Sequence, residues 1–191
     1  MKNIIVISLV FVLSMLNLGC SSSTESTNYY LLTNKIQNLQ TVEPLSNSNK
    51  KQYQLTVKLP EYLQKPYLVM QLDENKIHYS LFHLWAEPLN KGFSKALLFD
   101  LNNAQSSHYV VSSDNDNQLT AEKILITLDY FHITERASVI LAGQFLVQNG
   151  TNKSYQRFTF EQTLAADGYT HAVSQMRLLI TQLSKQITMS L

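Results

Sequence analysis

Apolar and polar residues alternate cleanly over Gln52–Leu59, with Tyr53, Leu55, Val57 and Leu59 on one side and Gln52, Gln54, Thr56 and Lys58 on the other. A period of two is that of a strand with one wet face. The alternation returns over Ser154–Leu164, where Phe158, Phe160 and Leu164 oppose Arg157, Thr159 and Glu161. Two longer stretches, Glu122–Thr134 and Ser138–Gln148, are rich in Ile, Leu, Val, Tyr and Phe and predict long strands. Asn149-Gly150, between Val147 and Tyr155, is the strongest short hairpin signal in the chain. Shorter strands are predicted at Asn28–Asn34, Tyr67–Leu72, Lys76–Leu84 and His108–Ser112, with Asp73-Glu74-Asn75 as the tip between the second and third of these.

The period changes to that of a helix twice. Leu89, Phe93, Ala96, Leu97 and Leu101 share one helical face. Pro88 in its first turn lacks an N–H that would be orphaned anyway, and Glu87 suits the positive end of the dipole. Leu98 and Phe99 fall outside that face and are left for a second layer or another subunit. Asp167-Gly168-Tyr169-Thr170 opens the last helix, whose stripe is Ala172, Val173, Met176, Leu179, Ile180, Leu183 and Ile187. A lone helix of this length is marginal in water, so it must dock on the sheet. Pro60 ends the first alternating strand and Pro66 forbids a long helix, so one short helical turn fits between them. Lys35–Lys51 and Ser113–Gln118 read as polar loops. The string β-β-(turn)-β-β-α-β-β-β-β-α predicts an α/β protein of the α+β kind. Its single mixed, largely antiparallel and mostly hairpin-connected sheet carries two main helices.

The first residues have a different character. Lys2 precedes an apolar run, Ile4–Leu16, broken only by Ser8 and Ser14 and too short for the roughly 20 residues of a membrane-spanning helix. Residues 1–19 therefore read as an export signal. The single cysteine, Cys20, follows Gly19 directly and precedes Ser21-Ser22-Ser23-Thr24-Glu25-Ser26-Thr27. That arrangement predicts a lipoprotein: cleavage before Cys20, fatty acylation of its thiol and new amine, and a flexible tether over residues 20–27. Asn17 stands three places before the cysteine, where leucine is usual. Ser21, rather than Asp, matches the pattern sorted to the outer membrane. The alternative is an ordinary secretory signal beside an incidental cysteine. Residues 28–191 then form one domain.

Composition narrows the chemistry. A formal net charge of +1 without basic clusters argues against nucleic acid. One cysteine, used as an acyl acceptor, leaves no disulfide and no thiolate metal site. Asp114 and Asp116 resemble a calcium loop but lack the following glycine and the closing glutamate. Asn149-Gly150-Thr151 matches a glycosylation acceptor, by chance in a bacterial lipoprotein. No Gly-rich phosphate loop, HExxH, GxSxG or CxxC occurs. His78, His83, His108, His132 and His171 are scattered singly; Asp129 could face Ser or His partners in space, which sequence does not show. No cofactor, metal or catalytic residue is expected. Trp85 reads either as a core aromatic or as a partner anchor. With Glu87, Leu98 and Phe99 it makes up the candidate partner-contact set.

LPEYL at Leu59–Leu63, HLWAEPL with its helix, the strands through LDYF and AGQFLVQNG, RFTFE, and ADGY before the last helix resemble the ABC-type transport auxiliary lipoprotein family. That family serves the paraquat-inducible intermembrane transport system, and the resemblance covers essentially the whole chain after the tether, in the same order. Its most specific parts are Leu59–Leu63, Leu84–Leu89 and Asp167–Tyr169; the two polar loops differ in length. The resemblance implies a fold similar to the amino-terminal domain of TolB and a non-enzymatic periplasmic protein anchored to the outer membrane. It implies partners, an MCE-domain tunnel protein and an inner-membrane subunit that together bridge the envelope for lipid movement. A ring-shaped homo-oligomer also belongs to that picture. Two other classes remain open from the residues alone: a lipid-anchored hydrolase whose Ser, His and Asp meet on folding, and a periplasmic lipid-binding carrier with an apolar cavity.

Overall fold

The computed structural model describes residues 25–33, 51–103, 108–113 and 122–191. The expected signal sequence, Cys20 and most of the two polar loops lie outside the described residues. The elements are β1 (Asn28–Tyr30), β2 (Lys51–Lys58), a 3₁₀ turn (Glu61–Gln64), β3 (Tyr67–Asp73), β4 (Lys76–Trp85), α1 (Leu89–Asn103), β5 (His108–Ser112), β6 (Glu122–Thr134), β7 (Ser138–Asn149), β8 (Asn152–Thr163) and α2 (Tyr169–Thr188). The order matches the expected string.

All eight strands join one mixed sheet. Its spine is the antiparallel meander β6–β7–β8, paired along nearly its full length. The far edge of β6 is shared: its first half pairs in parallel with β2, and Ile133 near its end pairs with Met70 of β3. One wing is therefore β6–β2–β5 and the other β6–β3–β4–β1. The β3–β4 and β7–β8 hairpins were legible in the sequence. The parallel entries of β1 onto β4 and of β2 between β5 and β6 were not, because they depend on partners distant along the chain. The hairpin after β7 has Gly150 and Thr151 at its centre, with positive φ at Gly150 (60°) and not at Thr151. That is the pattern of a type II′ turn, whose twist suits the flanking strands.

Both helices lie on one face. α1 packs against β2 and β5, α2 against β7 and β8, and the two helices touch each other. Their apolar stripes close the core: Phe93, Leu97, Leu101, Leu179, Ile180 and Leu183 are fully buried against Ile124, Ile126, Leu141 and Phe145. α1 begins one residue after Pro88, whose carbonyl accepts the first helical bonds from the N–H groups of Lys91 and Gly92, so Pro88 is the N-cap rather than a first-turn residue. At the other end of α1 the Asn102 amide brackets Val110 of edge strand β5, donating to its carbonyl and accepting from its N–H, both at 2.9 Å. This side chain covers part of an otherwise open sheet edge.

Two irregularities set which residues reach the core. In β6 the register slips at Asp129, so the inward set changes from Ile124, Ile126 and Leu128 to Phe131 and Ile133. In β4, Ser80 pairs with Leu68 but Leu84 pairs with Tyr67, leaving Leu81, Phe82 and His83 as a three-residue bulge. Bulges of this kind re-aim side chains.

Candidate functional site

The β4 bulge lies where β1, β4 and the start of α2 meet. β1 pairs in parallel with the end of β4, Asn28 beside His83, Tyr29 beside Leu84 and Tyr30 beside Trp85. The chain is pinned there by the Ala86 N–H, which donates to the Tyr30 carbonyl at 2.9 Å, and by buried Leu32 just beyond. Because the bulge changes the parity of β4, Ser80 before it and His83 and Trp85 after it all face the helices.

Four side chains join at this junction. The His83 ring stacks on the Tyr169 ring with centroids 3.8 Å apart, and Nδ1 of His83 is 2.8 Å from the Tyr30 hydroxyl. The Tyr169 hydroxyl is 2.7 Å from Oγ of Ser80, which is 3% exposed. Burial pushes the Tyr30 hydroxyl above its ordinary pKa, opposed by a hydrogen bond with Thr170 and reinforced by Tyr169. Hydroxyls and rings are spent on one another here, an arrangement that fixes two strands to the first turn of α2. Beside it opens a cleft of about 240 Å³, lined chiefly by Met70, Ile133, Leu164, Tyr169 and Ala172, with Glu135 and Asp167 at its polar side.

The same bulge turns apolar groups outward. Leu81 is 62% exposed and Phe82 40%, next to Tyr29 at 66% and Leu31 at 49%. The run Leu81-Phe82-His83-Leu84-Trp85 breaks alternation, and this was the available sign that β4 is not a plain strand.

The expected contact residues lie elsewhere. Trp85 is 7% exposed and belongs to the core, with its backbone N–H donating to the Pro66 carbonyl at 2.7 Å. Burial favours the core reading of this tryptophan over the anchor reading. Glu87 forms an ion pair with Lys95 on the exposed side of α1. Leu98 is half-buried against the core, whereas Phe99 is 37% exposed. Phe99 borders a cleft of about 420 Å³ between the ends of the two helices, shared with Thr181, Lys185, Thr188 and Met189. Beneath that cleft Arg177 of α2 grips Asp100 of α1 through two bonds of 2.6 and 2.7 Å, with Thr181 closing the triangle.

The histidines do not share a site. His83 meets tyrosines, and His132 lies under the rings of Tyr62 and Tyr130 with Nδ1 3.0 Å from the Ile133 carbonyl oxygen. Burial lowers the pKa of His132 against that backbone contact. Burial also pushes the Tyr62 hydroxyl far up, helped by Tyr130, Asp129 and Tyr79 nearby, and this hydroxyl donates to the Asp129 carbonyl at 2.9 Å. Among the described residues no three His, Cys, Asp or Glu side chains converge on a metal-sized point. Among the same residues no helix is long and apolar enough to cross a membrane.

The chain is similar to the intermembrane transport lipoprotein PqiC of Escherichia coli (strain K12) and of Shigella flexneri. It is 26% identical to each over 155 residues, 81% of both chains. Its fold is shared by the crystal structure of an uncharacterized protein (TM-score 0.73, 21% identity, 87% of this chain and 99% of the other). A Xanthomonas campestris protein shares it more loosely (TM-score 0.59, 10% identity, 72% and 81%). The family described as the ABC-type transport auxiliary lipoprotein component matches residues 32–188. That span holds every element after β1, including the β4 bulge and the α2 terminus it contacts, and the chain belongs to the ABC-type transport auxiliary lipoprotein family.

Proposed function

We propose that this protein is a non-enzymatic docking and scaffold subunit of an MCE-type intermembrane lipid transport system, anchored to the outer membrane by acyl chains on Cys20 and facing the periplasm. Its partners are an MCE-domain tunnel protein and an inner-membrane subunit, and it works as a ring of identical copies. The observation that carries the reading is the family match over residues 32–188, continuous from β2 to the end of α2. The relatives named as intermembrane transport lipoproteins match over four-fifths of their length, which supports a shared role for the whole domain. The cysteine placement after an export-type signal supports the anchor.

The packing supports a scaffold over a carrier. Residues at the sheet–helix interface are fully buried, and the clefts of about 240 Å³ beside Tyr169 and about 420 Å³ beside Phe99 open at the surface rather than into that core. The engagement of His83 with tyrosines and of His132 with a backbone carbonyl supports a structural over a hydrolytic use of both rings.

Affinity purification of the detergent-extracted full chain tests the reading. The expected result is co-purification of an MCE-domain protein, with native mass spectrometry giving a closed oligomer and an acylated first residue at Cys20. Undiminished envelope function in a Cys20→Ala strain that also loses the MCE partner would refute it, as would demonstrated turnover of a substrate.

A further inference from the structure

The bulge of β4 and the outer side of β1 form a contiguous apolar strip. Tyr29 lies beside Leu84 in the parallel register, which puts Phe82 at its diagonal neighbour position, and Leu31 follows on the same side of β1. Leu81 stands out of the bulge at 62% exposure. Neither β1 through Thr33 nor β4 contains a carboxylate; β4 starts at Lys76 and carries His78 and His83. This strip also sits where the folded domain begins. Seven residues lie between Cys20 and Asn28, and the eight steps from one to the other span at most about 29 Å even when fully extended. An anchor at Cys20 therefore keeps the strip within one tether length of the lipid surface. Other exposed apolar groups, such as Tyr155 on β8 and Met189 at the end of α2, belong to elements remote in sequence from the tether.

We infer that the strip formed by Tyr29, Leu31, Leu81 and Phe82 is a second membrane contact, which lies in the interface of the bilayer holding the acyl anchor. The inference rests on the proposed anchor at Cys20. Tyrosine and leucine on two strands that carry no carboxylate suit the headgroup–acyl boundary, where an aromatic ring meets both water and hydrocarbon. The tether supplies proximity and the strip supplies orientation, because its β1–β4 pairing is fixed to α2 through Ser80, His83 and Tyr169.

Acylation consumes the only native thiol, so an introduced cysteine is a unique labelling site. Full-length Leu81→Cys and Tyr155→Cys proteins, purified in acylated form, carry an environment-sensitive fluorophore and are reconstituted at low density into phosphatidylethanolamine–phosphatidylglycerol vesicles. The expected result is a blue-shifted Leu81 label, at least fivefold less open to an aqueous quencher than the Tyr155 label. A Phe82→Asp, Tyr29→Asp background should abolish that difference while the acylated protein stays on the vesicles. Equal quenching at the two positions in protein whose acylation is verified by mass overturns the inference and leaves the anchor reading intact. Protection that appears only as protein density rises assigns the strip to a second copy and also overturns it. A chain that matures without acyl groups and stays off the vesicles ends the anchor reading and this inference together.

Discussion

Removing Asp100 should be among the most damaging single changes outside the apolar core. The Arg177 guanidinium makes two parallel bonds to its carboxylate, of 2.6 and 2.7 Å, and a third of 2.8 Å to Thr181, whose hydroxyl donates back to Asp100 at 3.0 Å. The two charged side chains are 10% and 11% exposed, so water replaces a lost partner poorly. An exposed pair is worth at most about 1 kcal/mol, whereas breaking a buried one costs about 3–5 kcal/mol because the remaining charge is stranded. Asp100→Ala should therefore destabilise the domain by about 3–5 kcal/mol. At roughly 2–4 °C per kcal/mol for a domain of this size, the melting temperature falls by about 6–20 °C. Arg177→Met should do similar harm. Asp100→Ala with Arg177→Met leaves no stranded charge and should cost clearly less than the two single changes summed. Urea unfolding of the four proteins, followed by circular dichroism, gives the cycle. Single losses under about 1 kcal/mol, with an additive double variant, would refute the claim that this pair is a buried clamp between the helices.

Three further outcomes follow from local geometry. Gly143→Ala puts a Cβ 2.3 Å from the Thr127 carbonyl oxygen and 3.0 Å from Leu128 Cα, both backbone atoms at the β6 slip, so it should cost about 3 kcal/mol in urea unfolding. Gly150→Ala meets open space and should cost only the left-handed backbone penalty of about 1–2 kcal/mol; equal losses at the two glycines would contradict the close approach. Trp85→Ala should lower stability by about 3–5 kcal/mol, and unchanged stability with failed complex formation would return Trp85 to the contact surface. Burial holds the folded-state pKa of His132 below the ordinary imidazole value of 6.5, so its unfolded form takes up the proton first. Its contribution is intact above about pH 6.5 and is lost as pH falls from there through the lower folded value. The stability–pH slope of the native protein between pH 5 and 7 should exceed that of His132→Gln, and identical slopes would refute the assignment.

The sequence carried the elements well because each apolar face repeats at its own period. Every member of the α2 stripe from Ala172 to Ile187 is buried, and so is the predicted α1 face from Leu89 to Leu101. The change of phase after Leu128, from Ile124 and Ile126 to Phe131 and Ile133, was also written in the chain, though only the register identifies Asp129 as the extra residue. What stayed hidden was whatever depends on distant partners. The parallel seat of β2 between β5 and β6 joins segments more than 50 residues apart, and no local pattern encodes it. The junction of Tyr30, Ser80, His83 and Tyr169 was hidden for the same reason. Its members come from three segments, each ordinary alone, and only Asp167–Tyr169 stood out, through family resemblance. Trp85 drew attention by rarity, yet rarity says nothing of exposure; the outward-facing groups are its unremarkable neighbours Leu81 and Phe82.

A scaffold differs from a merely tethered domain in what it must hold constant. A chain fixed at one point by an extended segment can sweep a hemisphere, and its contact surface then points anywhere. A second contact beside the tether removes most of that freedom, provided that the contacting strands cannot move relative to the rest of the domain. β1 alone would not meet that condition, being three residues long at a sheet edge. Its pairing to β4 and the bond between the Ala86 N–H and the Tyr30 carbonyl join it to the strand. The His83–Tyr169 stack and the Ser80–Tyr169 bond join that strand to α2. α2 is in turn clamped to α1 by Arg177 and Asp100. Orientation imposed at the bulge would thus pass through side-chain contacts at every step to the cleft between the helices, where Phe99 and Met189 are exposed. If the proposed anchor and scaffold role hold, that continuity would make the opposite end of the helix layer, rather than the wing that holds β1, the surface best placed to meet a partner.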